Sequence, residues 1–161
     1  MEITTAYVGV GSNLGRSEDI VAHAISDLRA VPQITEVQSS AYYLTDPVGN
    51  VDQDRFINAV IKLKTTFSAE ELLAVLHSLE KKYKRVRTIK WGPRTLDLDI
   101  ELFGDHSLES EDLTIPHPEM FNRLFVLTPL LEVLDDDNVF KDEVIKAERS
   151  LAGSQYIKKL I

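Results

Sequence analysis

FINAVIKLKTTFSAEELLAVLHSLEKKY, residues 56–83, carries the two periodicities on which the fold reading turns. From Phe56 to Lys64 the odd positions Ile57, Ala59, Ile61 and Leu63 are apolar, while Asn58, Lys62 and Lys64 fall on the opposite face. That alternation is the period-two pattern of a half-buried strand. Ser68-Ala69-Glu70-Glu71 then fits a reciprocal capping box, and Leu72, Val75, Leu76, Leu79 and Tyr83 follow at helical spacing. A strand leading into a helix that starts at Ser68 is expected.

The same reading extends in both directions. Upstream, Ile3 to Gly11 is apolar and β-branched and ends in Gly11-Ser12-Asn13. A helix follows, with Ser17 as cap, Glu18 and Asp19 in its first turn, Ile20, Ala24 and Leu28 four apart, and Pro32 closing it. The three glycines of Gly9-Val10-Gly11-Ser12-Asn13-Leu14-Gly15 lack the spacing of a dinucleotide loop, and no Gly-Lys-Ser or Gly-Lys-Thr follows, so the segment reads as a tight strand-to-helix turn. Val37 to Leu44 reads as a strand and Thr45 to about Asp54 as a loop. Downstream, Asp97-Leu98-Asp99-Ile100-Glu101-Leu102-Phe103 alternates acidic and apolar residues, as a strand with an acidic face does. The order strand, helix, strand, strand, helix, strand predicts an α+β fold with a ferredoxin-like βαββαβ core, an antiparallel sheet and additional C-terminal helices. Those helices are expected around Met120 to Leu134, with a break or kink at Pro129, and near Glu143 to Leu160.

Composition narrows the function. A chain of 161 residues predicts one domain, residues 1–161, and 43% hydrophobic with 27% charged residues is ordinary for a folded soluble protein. The net charge of −8 argues against nucleic acid or an anionic membrane as the main partner, so any anionic ligand needs a local basic patch. The absence of cysteine removes disulfides, thiolate nucleophiles and Cys-ligated metals, leaving oxygen or imidazole ligands. The N-terminal stretch lacks the pattern of a signal peptide and no apolar run approaches the ~20 residues of a membrane span, which makes a cytoplasmic location the expectation.

The basic patch is present. Lys81 to Arg94 holds seven cationic residues and no acid. Lys81 and Lys82 suit a helix C-terminus, whereas Arg85 and Arg87, at or past the helix end beside Trp91-Gly92-Pro93-Arg94, have the fork geometry that grips phosphate. Trp91 offers an indole to stack on a flat ring. Asp97 and Asp99, two apart on one strand face, can converge on a hard cation such as Mg²⁺, which keeps waters and bridges nucleotide phosphates. Glu101 extends that face without a decided role. His117 sits between two prolines with Arg123 six residues later, while His23, His77 and His106 stand alone and no His-Glu-x-x-His zinc spacing occurs.

Taken together, Val8-Gly9-Val10-Gly11-Ser12-Asn13-Leu14-Gly15, Arg85-Val86-Arg87, WGPRTLDLDI from Trp91 to Ile100, Ile115-Pro116-His117-Pro118 and Arg123-Leu124-Phe125-Val126-Leu127 closely resemble the 6-hydroxymethyl-7,8-dihydropterin pyrophosphokinase family over nearly the whole chain. The resemblance implies transfer of pyrophosphate from ATP to the pterin hydroxymethyl oxygen in folate biosynthesis, with release of AMP. It implies ATP as co-substrate, two Mg²⁺ ions on Asp97 and Asp99, and catalytic roles for Arg85, Arg87, Arg94 and the two aspartates. For ATP it implies Leu73, His77, Glu80, Arg85, Arg87, Trp91, Arg94, Ile100, His117 and Arg123. For the pterin it implies Thr45, Pro47, Val48, Phe56, Asn58, Trp91, Asp97 and Phe125. The partners are then small molecules, with no nucleic acid, membrane or obligate protein partner. One departure is Lys84, where many relatives carry glycine before the first loop arginine. Residues 45–54 and 84–94 are long and polar enough to act as lids. Two rivals are a ferredoxin-like module that binds ligand without transforming it, and a single-strand RNA binder, which the net charge and the lack of an RNA-reading aromatic motif disfavour.

Overall fold

Strand β4 (Phe56–Thr65) is the axis on which the sheet is assembled. In this computed structural model, which describes residues 2–13, 17–46, 55–87 and 95–160 apart from the side chains of residues 84–87 and 95, β4 pairs antiparallel with β1 (Thr4–Asn13) from Thr4 opposite Thr65 to Asn13 opposite Phe56. On its other side the work is divided. Strand β2 (Ile34–Ser39) pairs with the later half of β4 and β3 (Tyr43–Thr45) with the earlier half. The single strand expected over Val37 to Leu44 is thus two strands with a break at Ser40. The break is stable because Ser40 answers Val60 twice: its N–H donates to the Val60 carbonyl at 2.9 Å, and its Oγ accepts the Val60 N–H at 3.0 Å.

Strand β5 (Thr95–Phe103) pairs antiparallel with β1 and closes one edge of the sheet. The order β5-β1-β4-β3, with helices α1 (Ser17–Arg29) and α2 (Ala69–Arg87) in the two crossovers, is the ferredoxin-like arrangement. Helix α2 begins as its capping box requires: the Ser68 N–H donates to Glu71 Oε1 at 2.8 Å and the Glu71 N–H to Ser68 Oγ at 3.1 Å. It extends through Arg87, so the backbone of Arg85 and Arg87 is helical.

The two faces of the sheet are covered differently. Val8, Val10, Ile57, Ala59, Ile61, Leu63, Leu96, Leu98 and Ile100 form one core beneath α1 and α2. On the other face, α3 (Leu124–Val133) and α4 (Lys141–Leu151) cover Tyr7, Val60 and Leu102. Val60 is therefore fully buried on the side that the alternation of β4 assigns to polar residues. Helix α3 passes through Pro129 to Val133, with Leu127 and Leu130 buried on either side of it. The helix expected up to Leu160 ends at Leu151; Gly153 takes the positive φ of +83° that turns the chain, and β8 (Ile157–Lys159) adds itself to β3. Strands β6 (Leu108–Glu109) and β7 (Thr114–Ile115) form a small hairpin. Among the described residues no helix is long and apolar enough to cross a bilayer.

Candidate active site

The second face of the sheet is left open where α3 begins, and the sequence places its two central glycines there. Gly9 lies between Asp99 of β5 and Val60 of β4, and Gly11 between Asp97 and Asn58. Both glycines are inside β1, as the strand expected from Ile3 to Gly11 requires; the strand runs on to Asn13, and Leu14 and Gly15 of the expected turn lie outside the described residues. Their lack of a side chain serves close approach. A Cβ on Gly11 would stand 2.6 Å from Asn58 Oδ1, and one on Gly9 2.6 Å from Glu101 Oε2. The neighbouring strands fold their polar side chains over the glycines, and a cavity of about 240 Å³ opens beside them.

Thr45, Phe56, Asn58, Asp97, Asp99, Arg123 and Phe125 all line this cavity. Asp97 and Asp99 share one face of β5 and are exposed, as their two-residue spacing predicts. At the other end, the buried Asn58 donates its Nδ2 to Thr45 Oγ1 at 2.6 Å, and Phe56 and Phe125 supply aromatic walls from β4 and α3. Asp46, which the sequence reading did not select, also lines the cavity and pairs with Arg55 Nε at 3.0 Å.

Next to Asp99 the register of β5 against β1 slips. Val8 faces Ile100 and Tyr7 faces Leu102, so Glu101 is the additional residue of a bulge. The bulge frees the Glu101 carbonyl to accept the His117 N–H at 3.0 Å, which brings His117 to the acidic strand. The Glu119 N–H donates to His117 Nδ1 at 3.1 Å, making that nitrogen the acceptor and leaving Nε2 to carry the proton of the neutral ring. Burial and the nearby Arg123 hold the His117 pKa below its usual value against the pull of Asp99. Arg123 stands over the Phe125 ring, 5.5 Å from its centroid. The Glu101 side chain is 2% exposed with Oε1 unpartnered, and burial together with Asp99 pushes its pKa well above the ordinary carboxyl range. Acidic-face periodicity alone gave no sign of that burial.

An aspartate pair beside a histidine, an arginine and an aromatic-walled cavity suits a polyanion joined to a flat polar ring, and the comparison with known families agrees. The family model described as 7,8-dihydro-6-hydroxymethylpterin-pyrophosphokinase matches residues 7–135. The chain belongs to that family. The Bacillus subtilis 2-amino-4-hydroxy-6-hydroxymethyldihydropteridine pyrophosphokinase is 43% identical over 96% of this chain and 90% of its own length. The enzyme of the same name from Pseudomonas aeruginosa is 41% identical over 83% of each chain. A bifunctional protein of Lactococcus lactis is 39% identical over 94% of this chain, which spans 43% of that longer protein. A solved HPPK-DHPS structure in complex with substrates superposes with a TM-score of 0.70 over 95% of this chain and 44% of its own, at 13% identity, a likeness of fold. As a pyrophosphokinase of folate biosynthesis the protein is a transferase that uses ATP and acts on small molecules.

The residues that the resemblance assigns to ATP divide between the two sides of β5. Ile100 is buried in the core under α2, and Leu73, His77 and Glu80 belong to α2 itself. Glu80 is tied to the acidic strand, because its Oε2 accepts the Leu98 N–H at 2.9 Å between the two aspartates. Burial, then Asp97 and Asp99, raise its pKa against that hydrogen bond. Pro47, Val48, Trp91 and Arg94 lie outside the described residues, as do the side chains of Arg85 and Arg87, the position of Lys90 and most of the two segments expected to act as lids.

Proposed function

We propose that Asp97 and Asp99 form the cation platform on which this pyrophosphokinase transfers the pyrophosphoryl group of ATP to 6-hydroxymethyl-7,8-dihydropterin, giving AMP and the pterin diphosphate. The observation that carries the reading is the placement of both carboxylates on one exposed face of β5, opening on the cavity that also holds Phe56, Asn58 and Phe125. The donor set fits Mg²⁺. No cluster of three or more acidic, histidine or cysteine ligands exists among the described residues, and a pair of carboxylates completed by phosphate oxygens and water is the usual Mg²⁺ arrangement. Two Mg²⁺ ions bound there would neutralise the triphosphate and stabilise charge on the entering and leaving oxygens.

The remaining work belongs to the chain's own side chains. Arg123 and the neutral His117 flank Asp99, where the phosphates of the nucleotide would lie, and Arg85, Arg87 and Arg94 complete the cationic clamp in this reading. The base and ribose extend across the edge of β5 toward Leu73, His77 and Glu80 on α2, with Ile100 contributing from beneath and Trp91 near both substrates. Phe56 and Phe125 hold the pterin plane, while Asn58, oriented by Thr45, and the backbone near Pro47 and Val48 read its polar edge. The hydroxymethyl oxygen then attacks the β-phosphorus in line, with no protein nucleophile, and positioning and electrostatics supply the acceleration. The reading takes residues 1–161 as one cytoplasmic catalytic domain without an obligate protein partner. Separate Asp97→Ala and Asp99→Ala variants test it. Each is expected to keep the circular dichroism of the fold and to lose at least about a hundredfold in Mg²⁺-dependent turnover, the order seen when one preorganised charge-stabilising group is removed. Unchanged turnover in both variants would refute the assignment.

A further inference from the structure

Residues 155–157 lie beyond the stretch 7–135 that the family model matches, yet all three contact residues at the site or one step from it. Gln155 spends both ends of its amide on a single turn. Its Oε1 accepts the Leu124 N–H at 2.9 Å and its Nε2 donates to the Asn122 carbonyl at 2.9 Å. Those two backbone groups bracket Arg123. Arg123 is the N-cap of α3, with an extended backbone at φ −129° and ψ 108°, and its own side chain makes no capping bond. The first amide of the helix is therefore satisfied from another element, and the side chain of Arg123 remains available to face the site.

The next two residues continue the same contact. The Tyr156 ring carries the Arg55 guanidinium 4.1 Å from its centroid, and Arg55 in turn holds Asp46 of the cavity wall. Ile157 pairs with Thr45, the residue that orients Asn58. The chain reaches this position because Gly153 turns it away from α4 and the Ser154 N–H closes the turn on the Leu151 carbonyl at 2.9 Å.

We infer that Gln155 is a positioning residue for the nucleotide half of the site: by fixing the peptide groups on both sides of Arg123 it sets the direction of that guanidinium beside Asp99 and His117. The role rests on the reading above, in which Arg123 meets the phosphates. Gln155 is exposed, so its two hydrogen bonds add little to the core, but they act at the residue where a small change in backbone direction swings a long cationic side chain.

Calorimetric titration with a nonhydrolysable ATP analogue and Mg²⁺ tests the inference without relying on turnover. Gln155→Ala is expected to weaken nucleotide binding by about three- to tenfold, the reach of one or two ordinary hydrogen bonds, with little change in thermal stability. In an Arg123→Ala background the same substitution is expected to have no further effect. Tyr156→Ala, which leaves the Gln155 amide in place, should spare nucleotide affinity and so separates the role of Gln155 from a general loosening of this segment. Unchanged affinity in Gln155→Ala, an equal loss in both Arg123 backgrounds, or an equal loss in Tyr156→Ala overturns the role while leaving the functional reading intact. A failure of the unaltered protein to bind the nucleotide would overturn that reading, and the role with it.

Discussion

Replacing Gly11 with alanine probes the pterin half of the site with the smallest possible change. The added Cβ would lie 2.6 Å from Asn58 Oδ1 and 3.9 Å from the Phe56 ring. The first contact is below any real Cβ approach, and β1 cannot retreat because β4 and β5 pair with it on both sides. Asn58 must move instead. Its amide is 7% exposed and bonded to a Thr45 that is 2% exposed, so the displacement falls on a buried polar pair. Crowding of this kind costs about 1–3 kcal/mol, and a buried group left without its partner costs a similar amount. If that cost falls on the pterin, its Kd rises on the order of 5- to 150-fold. Titration of the pterin in the presence of a nonhydrolysable ATP analogue and Mg²⁺ reads the effect, and titration of the nucleotide alone supplies the control. Gly9→Ala is the counterpart. Its Cβ would meet Glu101 Oε2 at 2.6 Å beside Asp99, so its loss should appear in the nucleotide titration. An unchanged pterin Kd in folded Gly11→Ala, or an equal loss for both ligands, would refute the division of the cavity.

Two further outcomes follow from buried polar groups. Ser40→Ala removes the acceptor of the buried Val60 N–H and is expected to cost about 1–3 kcal/mol in urea unfolding, whereas a loss below about 0.5 kcal/mol would show that the break between β2 and β3 does not depend on it. Burial and Asp99 raise the Glu101 pKa, so the folded state holds this proton more tightly than the unfolded chain. That contribution is complete below the unfolded carboxyl value of about 4.3 and declines as pH rises toward the folded-state pKa. Glu101→Gln should therefore gain stability relative to the unaltered protein between pH 5 and pH 8, and a difference independent of pH would contradict the assignment.

Much of this arrangement is legible in local spacing. The capping box at Ser68 and Glu71 and the shared face of Asp97 and Asp99 are properties of a few neighbouring residues, and both have the expected geometry. The features that local reading misses are set by distant partners. Gly9 and Gly11 sit in a segment read as strand and turn, and nothing local tells that Glu101 and Asn58 lie over them. Val60 is one apolar residue on a nominally polar face, and only the packing of α3 reveals a second core. Ser40 sits in a stretch with good strand alternation, and its pairing with Val60 across β4 is what divides β2 from β3. Glu101 continues the acidic alternation of β5, and nothing in that alternation tells that its side chain is buried over Gly9. Gln155 has no local signature, since its meaning comes entirely from the turn at Arg123 that it brackets.

The most direct test of the account follows the phosphorus atoms. With the unaltered protein, Mg²⁺, hydroxymethyldihydropterin and ATP labelled separately at the β- and γ-phosphates, both labels should arrive together on the pterin while AMP forms in equal amount. ADP as the sole nucleotide product, with only the γ label transferred, would contradict it.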